Sequence, residues 1–208
     1  MVSHSITIFF RWNNSQREWD HMRVIGGSAK GHRLLSPKGT AVRPTSDRVR
    51  EAIFNSIQSR VGNAVVLDLF AGAGTLGIEA LSRNAQRAVF VDCAPRQIEL
   101  IKENLTKTRL LERAELLQQE TDIAIKQLKS RQIMFDLVFA DPPYCQGHIE
   151  KTLRCLSQAG VVKMEGLVVV EFSFEEKIPE KMGDFHQTSV RKYGTTGVAY
   201  YNRKEERE

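Results

Sequence analysis

Residues 134–145 read MFDLVFADPPYC, and this stretch decides the fold. Residues 135–140 are apolar except for one aspartate, which is typical of a strand buried on both faces of a sheet. The strand must end at the two prolines that follow, because proline has no backbone N–H to donate. Asp141 and Tyr144 therefore belong to a stiff loop at the carboxyl edge of the sheet, where open α/β sheets bind ligands. Such a loop can hold a flat molecule by its edge and its face, although a plain Pro-Pro strand terminator has the same sequence.

Strands and helices alternate on both sides of this stretch. Further β-α units are predicted at 64–84, 88–107 and 114–130, and a helix and a strand follow at 147–156 and 166–172. Such units, joined by right-handed crossovers, require a mainly parallel, doubly wound sheet. Two apolar segments near the C-terminus flank a Tyr-Gly-Thr-Thr-Gly turn. The sequence thus predicts an α/β, Rossmann-like fold with helices on both faces of the sheet and a C-terminal antiparallel hairpin.

The region before the first strand has a different composition. Residues 1–21 show no clear period and are expected to be a disordered leader or an upstream start. From Met22 onward, two short apolar segments bracket a glycine-rich turn, which predicts a hairpin. Ser46 is a plausible N-cap for a helix that reaches about Ser59. Because the hairpin has few apolar residues, we expect a mobile arm, and deletion of residues 1–40 is expected to leave a folded core.

Composition narrows the class of protein. The chain has 208 residues, of which 41% are hydrophobic and 26% charged, as expected for a soluble globular protein. No apolar run approaches the roughly 18 residues that a membrane helix needs, so a cytoplasmic location without a membrane partner is predicted. The three cysteines form no Cys-x-x-Cys pair and the five histidines lie far apart, which argues against a metal site.

The net charge of +5 is concentrated in one block. Between Met22 and Arg60, eight basic residues stand against two acidic ones, so the rest of the chain is close to neutral. Such a block favours binding to a polyanion, most commonly nucleic acid, although a solvated basic face is the alternative. The residues expected to contact RNA are Arg23, Lys30, Arg33, Arg43, Thr45, Arg48, Lys192 and Tyr193.

A glycine-rich motif follows the first predicted strand. Gly72, Gly74 and Gly77 have the spacing of a dinucleotide-binding turn, and Asp92 lies 20 residues after Gly72. An acid at that place can accept both ribose hydroxyls of either NAD or S-adenosylmethionine. Asp68 can reach a cationic amine, which S-adenosylmethionine has and NAD lacks. This difference, together with the Asp-Pro-Pro-Tyr loop, favours a methyl donor over a hydride donor.

The Asp-Pro-Pro-Tyr loop suits methyl transfer to an aromatic amine. The exocyclic amine of a nucleobase is a poor nucleophile because its lone pair is delocalised into the ring. Acceptors placed against its N–H groups favour a pyramidal nitrogen whose lone pair points at the methyl donor. The Asp141 carboxylate and the Pro142 carbonyl can supply such acceptors while Tyr144 stacks on the base. No strong general base is needed, because the methylated ammonium product is acidic.

Several motifs taken together resemble one known family. They are Met22-Arg-Val-Ile-Gly-Gly-x-x-x-Gly, Arg43-Pro-Thr, Arg50-Glu-Ala-x-Phe-Asn, Asp68-Leu-Phe-Ala-Gly-x-Gly and Asp141-Pro-Pro-Tyr. In this order and spacing, over about residues 22–202, the chain is similar to the bacterial 16S ribosomal RNA (guanine(966)-N(2))-methyltransferases. The resemblance implies a class I fold with seven strands, S-adenosylmethionine as the methyl donor, and a guanine of small-subunit RNA as the acceptor.

The resemblance also implies roles for residues and segments. The expected division is a leader over 1–21, a basic N-terminal hairpin and helix over 22–60, and a methyltransferase domain over 61–203. The catalytic residues are expected to be Asp141, Pro142, Pro143 and Tyr144. The cofactor-binding residues are expected to be Asp68, Phe70, Ala71, Gly72, Gly74, Thr75, Leu76, Asp92, Glu120 and Thr121. The expected partner is 16S ribosomal RNA in a partly assembled small subunit, and the protein is expected to be a monomer.

One motif departs from the family pattern. The third strand of such enzymes usually ends in Asp or Asn followed by Ala, which contacts the adenine, whereas residues 118–122 read Gln-Gln-Glu-Thr-Asp. Counting back from Asp136, Glu120 fits the adenine-contacting position better than Asp122.

Other functions fit part of the same pattern. The acceptor amine could be adenine N6 in DNA or RNA, or a protein glutamine amide, because the Asp-Pro-Pro-Tyr loop selects a planar amine and not its parent molecule. A binding module that holds RNA through the basic block and retains a vestigial pocket is a third hypothesis. Its weakness is that Asp68, Asp92 and Asp141 all stand at the expected strand ends.

Overall fold

A computed structural model describes residues 22–36, 46–144 and 147–204 of the chain. Its strands are β1 (Val65–Leu69), β2 (Arg87–Asp92), β3 (Ala114–Gln118), β4 (Phe135–Ala140), β5 (Val162–Ser173), β6 (Lys181–Met182), β7 (Phe185–Tyr193) and β8 (Thr196–Arg203). They form one sheet in the order β3-β2-β1-β4-β5-β8-β7-β6. Strands β1 to β5 pair in parallel, whereas β8 pairs antiparallel with both β5 and β7. The predicted fold is confirmed, and the strand beyond the expected seven is the two-residue β6 at the sheet edge.

Six α-helices and one short 3-10 helix accompany the strands in the described ranges. The helices are α1 (Asp47–Ser56), α2 (Gln58–Val61), α3 (Thr75–Ser82), α4 (Pro95–Thr108), α5 (Thr121–Ser130) and α6 (His148–Ala159), and the 3-10 helix spans Leu111–Arg113. Ser46 caps α1 as predicted, since its hydroxyl accepts a hydrogen bond from the Val49 N–H at 3.3 Å. The predicted single helix to Ser59 is instead two helices, because the chain breaks at Ile57.

The sheet is buried on both faces because its central strands are almost wholly apolar. All five residues of β1 are buried, and so are five of the six residues of β4. One core cluster contains side chains from α1, α3 and α4, and the other contains side chains from α5 and α6. Because the helices cover both faces of the central strands, ligands reach those strands at their ends.

The N-terminal segment 22–35 packs onto this core. Met22, Val24, Ala29 and Leu34 are buried and belong to the same cluster as α1 and α3. The predicted hairpin is confirmed in a narrow form, with one antiparallel bridge between Arg23 and Arg33. The expected mobile arm is wrong for these residues, because their apolar side chains are covered by helices distant in sequence.

Polar contacts with α3 hold the segment in place. We call this contact region the Glu79 junction; it comprises Glu79, Arg50, Ser82 and the backbone of residues 25–29. The buried Glu79 carboxylate accepts hydrogen bonds from the N–H groups of Ile25 and Gly26, both at 2.8 Å. The Ser82 hydroxyl accepts one from the Ala29 N–H at 2.9 Å. The junction therefore supplies acceptors for backbone groups that would otherwise lose water on burial.

Two further residues make the Glu79 junction tight. Arg50 is fully buried, with its Nε 3.8 Å from Glu79 and its guanidinium bonded to the Arg23 carbonyl and the Asp47 carboxylate. Burial lowers the pKa of Arg50, and the Asp47 and Glu79 carboxylates oppose that effect. Gly27 has φ +77°, and a Cβ there would lie 1.8 Å from the Ser82 carbonyl oxygen. Only glycine fits this close approach to the end of α3.

Some predicted features fall on other parts of the chain. The expected leader over 1–21 and the expected RNA contacts Arg43 and Thr45 lie outside the described residues.

Candidate functional site

The candidate site lies where β1, β2 and β4 end. The chain leaves β1 through residues 70–74, and the Ala71 N–H donates to the Val91 carbonyl of β2 at 3.0 Å. On the other side, the Asp141 N–H faces the Leu69 carbonyl at 3.5 Å. The loops after three neighbouring strands are therefore held side by side. The sheet order brings together the predicted residues Asp68, Asp92 and Asp141 at one edge.

Asp68 is a buried carboxylate near the end of β1. Only 2% of the residue is exposed, and its Oδ2 accepts a hydrogen bond from the Gly77 N–H at 2.8 Å. Burial raises the pKa of Asp68 to about 7, and the nearby Asp92 carboxylate adds to this rise while the Gly77 bond opposes it. The group therefore changes its charge near neutral pH, so a cationic partner would favour its ionised form.

The glycine motif has two different roles. Gly72 and Gly74 lie in the left-handed region and shape the turn, closed by the 2.6 Å bond from the Gly74 N–H to the Ala71 carbonyl. A Cβ at Gly77 would lie 2.3 Å from the Phe90 ring. The third glycine thus permits close packing of α3 on β2 and places its N–H against Asp68.

Other residues predicted to bind the cofactor line the same turn. Phe70 has φ +58°, an unusual value for an aromatic residue, and its ring centroid lies 6.0 Å from that of His148. Thr75 and Leu76 form the first positions of α3, where the helix dipole favours negative charge. Thr75 is half-buried and Leu76 is buried, so Leu76 supports the turn from below.

Asp92 at the end of β2 is oriented by backbone donors. Its Oδ2 accepts from the Gly72 N–H and its Oδ1 from the Ala94 N–H, both at 2.9 Å. These bonds fix the plane of the carboxylate. Each oxygen keeps a second lone pair that can accept a ligand hydroxyl.

The structure separates the two acids that follow β3. Glu120 is the N-cap of α5, and its carboxylate lies against Cys93, next to Asp92. Burial raises the pKa of the Cys93 thiol, and the Glu120 and Asp92 carboxylates raise it further. Asp122 instead forms an ion pair with Lys151 of α6 at 3.4 Å. This geometry favours Glu120 over Asp122 as the neighbour of a ligand at the β2 end.

The Asp-Pro-Pro-Tyr loop presents an aromatic ring beside Asp141. Pro142 is buried and Pro143 is exposed, so the first proline packs against the protein while the second faces solvent. The Tyr144 hydroxyl lies 3.5 Å from Glu171 Oε1, while 41% of the residue stays exposed. Burial raises the pKa of Tyr144 above its usual value, and the Glu171 and Asp141 carboxylates raise it further. The hydroxyl thus stays protonated, and the exposed part of the residue is accessible to a ligand.

Two residues of this region were missed in the sequence. Glu171, which is 3% exposed, is the single charged residue in the apolar run 167–172, and that exception was the available signal. Asn104 of α4 is buried; its Oδ1 accepts from the Leu35 N–H at 2.7 Å, and its Nδ2 donates to the Ala73 carbonyl at 3.0 Å. It links the glycine turn to the N-terminal segment. Its signal was a lone amide on an apolar helix face.

The residues predicted to contact RNA occupy different places. Lys30, Arg33 and Arg48 are exposed, and the exposed Arg23 lies 3.6 Å from Asp47. On β7, the Lys192 ammonium lies 4.3 Å from the centre of the Phe174 ring, and Tyr193 packs on the core.

The basic block is less positive at the surface than its sequence indicates. A cleft of about 300 Å³ beside α1 is lined by Arg23 and Lys30, but also by Asp47 and Glu51. Arg50, which contributed to the charge count, is buried in the Glu79 junction.

No group of three or more metal-binding side chains occurs among residues 22–36, 46–144 and 147–204. Within the same ranges, the helices lack the length and apolar character needed to cross a membrane.

Known proteins are similar to this chain in sequence and in fold. Residues 22–202 match the family described as "Conserved hypothetical protein 95". The chain is 38% identical, over 88% of its length, to the whole of "Putative rRNA methyltransferase YlbH" of Bacillus subtilis (strain 168). It is 31% identical, again over 88% of its length, to 90% of "Ribosomal RNA small subunit methyltransferase D" of Escherichia coli (strain K12).

A solved structure supports the same relationship. The structure described as "Putative methyltransferase yhhF from Escherichia coli" has a TM-score of 0.78 and 31% identity, and it covers 88% of this chain and 97% of that one. The family match over residues 22–202 spans the glycine turn as well as the Asp-Pro-Pro-Tyr loop. The chain therefore belongs to the Conserved hypothetical protein 95 family.

Proposed function

We propose that this protein transfers a methyl group from S-adenosylmethionine to the exocyclic N2 amine of a guanine in 16S ribosomal RNA. The observation that carries the proposal is the placement of Asp68, Asp92 and Asp141 at the ends of neighbouring strands. Relatives named as ribosomal RNA methyltransferases support the substrate class. The choice of guanine N2 rests on the motif resemblance and on the chemistry of the Asp-Pro-Pro-Tyr loop.

The residues present fit S-adenosylmethionine. When bound, it supplies an electrophilic methyl group on a sulfonium centre. The ionised form of Asp68 suits the cationic amine of its amino-acid part, and Asp92 has free lone pairs for ribose hydroxyls. The turn through Gly72 and Gly74 lets the backbone approach closely, and Glu120 lies beside the place expected for the adenine.

The acceptor side needs orientation more than proton abstraction. Asp141 and the Pro142 carbonyl accept the two N–H bonds of the guanine amine, which turns the nitrogen lone pair toward the methyl carbon. Tyr144 stacks on the base, with its hydroxyl directed at Glu171. The nitrogen would gain the methyl group as the carbon–sulfur bond of the sulfonium breaks and a neutral thioether leaves, and the nitrogen would then lose one proton to solvent, so that the methylated base is neutral.

Donor binding is expected to depend on pH through Asp68. Its pKa of about 7 in the folded protein lies above the ordinary 3.8, so the folded state holds a proton between these values that the unfolded state releases. Without ligand, the contribution of Asp68 to stability therefore falls as pH rises through that window. The cationic amine binds the ionised form, so calorimetry should show affinity rising from pH 6 to about 7.5, by at most about tenfold per pH unit. Asp68→Asn should flatten this profile, and an unchanged profile would contradict the assignment.

Asp92→Ala should weaken S-adenosylmethionine binding by roughly 1–3 kcal/mol, because buried ribose hydroxyls lose a charged acceptor. The change also frees the Gly72 N–H, which loosens the turn. Asp122→Ala is the matched control, since that carboxylate pairs with Lys151 away from the β2 end. Calorimetry is expected to detect the loss only in the first variant. Equal affinities would mean that Asp92 has a structural role alone.

A nucleotide-resolution map tests the proposed function itself. Ribosomal RNA from cells lacking the protein should lack one N2-methylguanine, as detected by mass spectrometry of the digested RNA, and purified protein should restore it with labelled S-adenosylmethionine. Free 16S RNA and partly assembled subunits should be compared as substrates. Label that appears in adenine N6 or in a protein glutamine would reject guanine N2. Bound RNA without any transferred label would reject catalysis.

A further inference from the structure

A second groove lies between the first two helices and the C-terminal hairpin. It has a volume of about 160 Å³. Ser56 and Arg60 belong to its helical wall, and Ser189 and Arg191 of β7 form the opposite wall. Its floor is Tyr200 of β8, whose hydroxyl lies 2.8 Å from the Ser56 hydroxyl.

The strand register relates the groove to the candidate site. Arg191 is paired with Val198, which is paired with Glu171, and Glu171 faces the Tyr144 hydroxyl. Arg191 is therefore level with the carboxyl end of β5, where the acceptor base is proposed to bind. At the other end, the Arg60 guanidinium donates to the carbonyl of Glu165, before the buried part of β5. The groove thus leads from the candidate site toward the opposite edge of the sheet.

The lining of the groove is basic and rich in hydroxyl groups. Its described lining residues include two arginines, two serines and one threonine, and none of them is a carboxylate. The Arg191 guanidinium lies 5.6 Å from the centre of the Tyr200 ring, and Arg60 is fixed by its 2.8 Å bond to the Glu165 carbonyl. Both cations are therefore partly preorganised and retain further N–H donors. This set of groups matches phosphate oxygens.

The first cleft beside α1 makes a useful contrast. There, Arg23 and Lys30 share the lining with Asp47 and Glu51, so opposite charges compensate one another. In the second groove the charge of Arg60 and Arg191 is not opposed by any described lining residue. A polyanion is therefore better accommodated between α1 and β7 than in the first cleft.

We propose that this groove binds the phosphate backbone of the RNA strand that flanks the methylated nucleotide, with Arg60 and Arg191 as phosphate contacts. The inference rests on the proposed function, and it adds two residues that the motifs did not indicate. The target base enters the pocket while its neighbours follow the groove.

The double variant Arg60→Gln/Arg191→Gln tests the groove. We expect RNA affinity to fall by about tenfold near physiological salt. The slope of log affinity against log salt should decrease by about 1.4, because each phosphate contact on a single strand contributes about 0.7. S-adenosylmethionine affinity should stay at the wild-type level. The matched control is Lys126→Gln/Arg154→Gln, which removes two exposed positive charges from α5 and α6 on the other face.

The possible results distinguish a failure of the groove proposal from a failure of the proposed function. If the wild-type protein methylates RNA and the groove variant binds it with unchanged affinity and slope, the groove proposal is overturned and the function stands. If the wild type does not methylate RNA at all, the proposed function fails first. A variant that binds free RNA normally but assembled subunits weakly would assign the groove to a ribosomal protein instead, which also overturns the proposal. A photo-cross-linker at Ser189 should mark a nucleotide within a few positions of the methylated one.

Discussion

Asp141→Ala is expected to lower the methyl-transfer rate by about a hundredfold or more while S-adenosylmethionine still binds. The Asp141 carboxylate is the charged acceptor proposed to orient the guanine amine, and its effect is largest when the nitrogen becomes pyramidal in the transition state. Its loss should therefore reduce the turnover number and the specificity constant together. Single-turnover assays with saturating RNA measure the chemical step directly, and calorimetry measures the donor affinity.

The control for Asp141→Ala must remove a carboxylate near the same edge without touching the acceptor. Asp122→Ala does this, because Asp122 pairs with Lys151 on α6. Its transfer rate should stay close to that of the wild type. If Asp141→Ala remains as active as this control, the catalytic role assigned to the Asp-Pro-Pro-Tyr loop is wrong. If it loses donor binding as well, the loop supports the cofactor side and the assignment needs revision.

The central sheet could be predicted because its strands are continuous apolar runs. The predicted strand over residues 135–140 has the observed bounds, and the units predicted to begin at 64 and 88 start within one residue of β1 and β2. Turn chemistry was equally informative, since Ser46 and the glycine motif precede helix starts that the structure confirms. The spacing of apolar residues and the capping of helices are local properties, so they can be predicted from one sequence.

Features that depend on pairing partners were less predictable. Strand β5 begins at Val162 and not at 166, because Val162 pairs with Phe135 of β4 ahead of a register shift, and regular pairing resumes at Leu167. Strand β6 has only two residues and no apolar period. The residue types of Glu171 and Asn104 do not indicate whether these side chains are buried. Only the packing around them in the folded protein shows that they are. The candidate site was thus predictable at its strand ends, and less so in the buried polar residues that support it.

The N-terminal segment shows the same difficulty most clearly. Its backbone N–H groups bond to a carboxylate that is 54 residues later in the chain for Ile25 and 53 for Gly26. No local pattern indicates such a contact, and the short apolar segments around the turn favoured a mobile arm. In the structure those residues fill the core between α1 and α3. The same segment reaches the candidate site through Asn104, which contacts both Leu35 and Ala73.

Glu79→Ala is expected to destabilise the protein by about 3–5 kcal/mol, because it leaves the buried Arg50 with one carboxylate instead of two. The Ile25 and Gly26 N–H groups lose their acceptor in the same change. Chemical denaturation, monitored by far-UV circular dichroism, measures the decrease in the free energy of unfolding. The control is Glu99→Ala on the exposed side of α4, which should change stability by less than about 0.5 kcal/mol.

The same reasoning reverses the expected effect of deleting residues 1–40. The deletion removes Met22, Val24 and Leu34 from the core, and burial of each such side chain contributes roughly 1.5–3 kcal/mol. It also removes the backbone N–H groups that donate to the Glu79 carboxylate. The sum is comparable to the 5–15 kcal/mol that stabilises an ordinary domain, so the truncated protein should be largely unfolded and should not bind S-adenosylmethionine. If the truncated protein unfolds cooperatively at the wild-type denaturant concentration, and Glu79→Ala does the same, then the segment is the dispensable arm that its sequence favours.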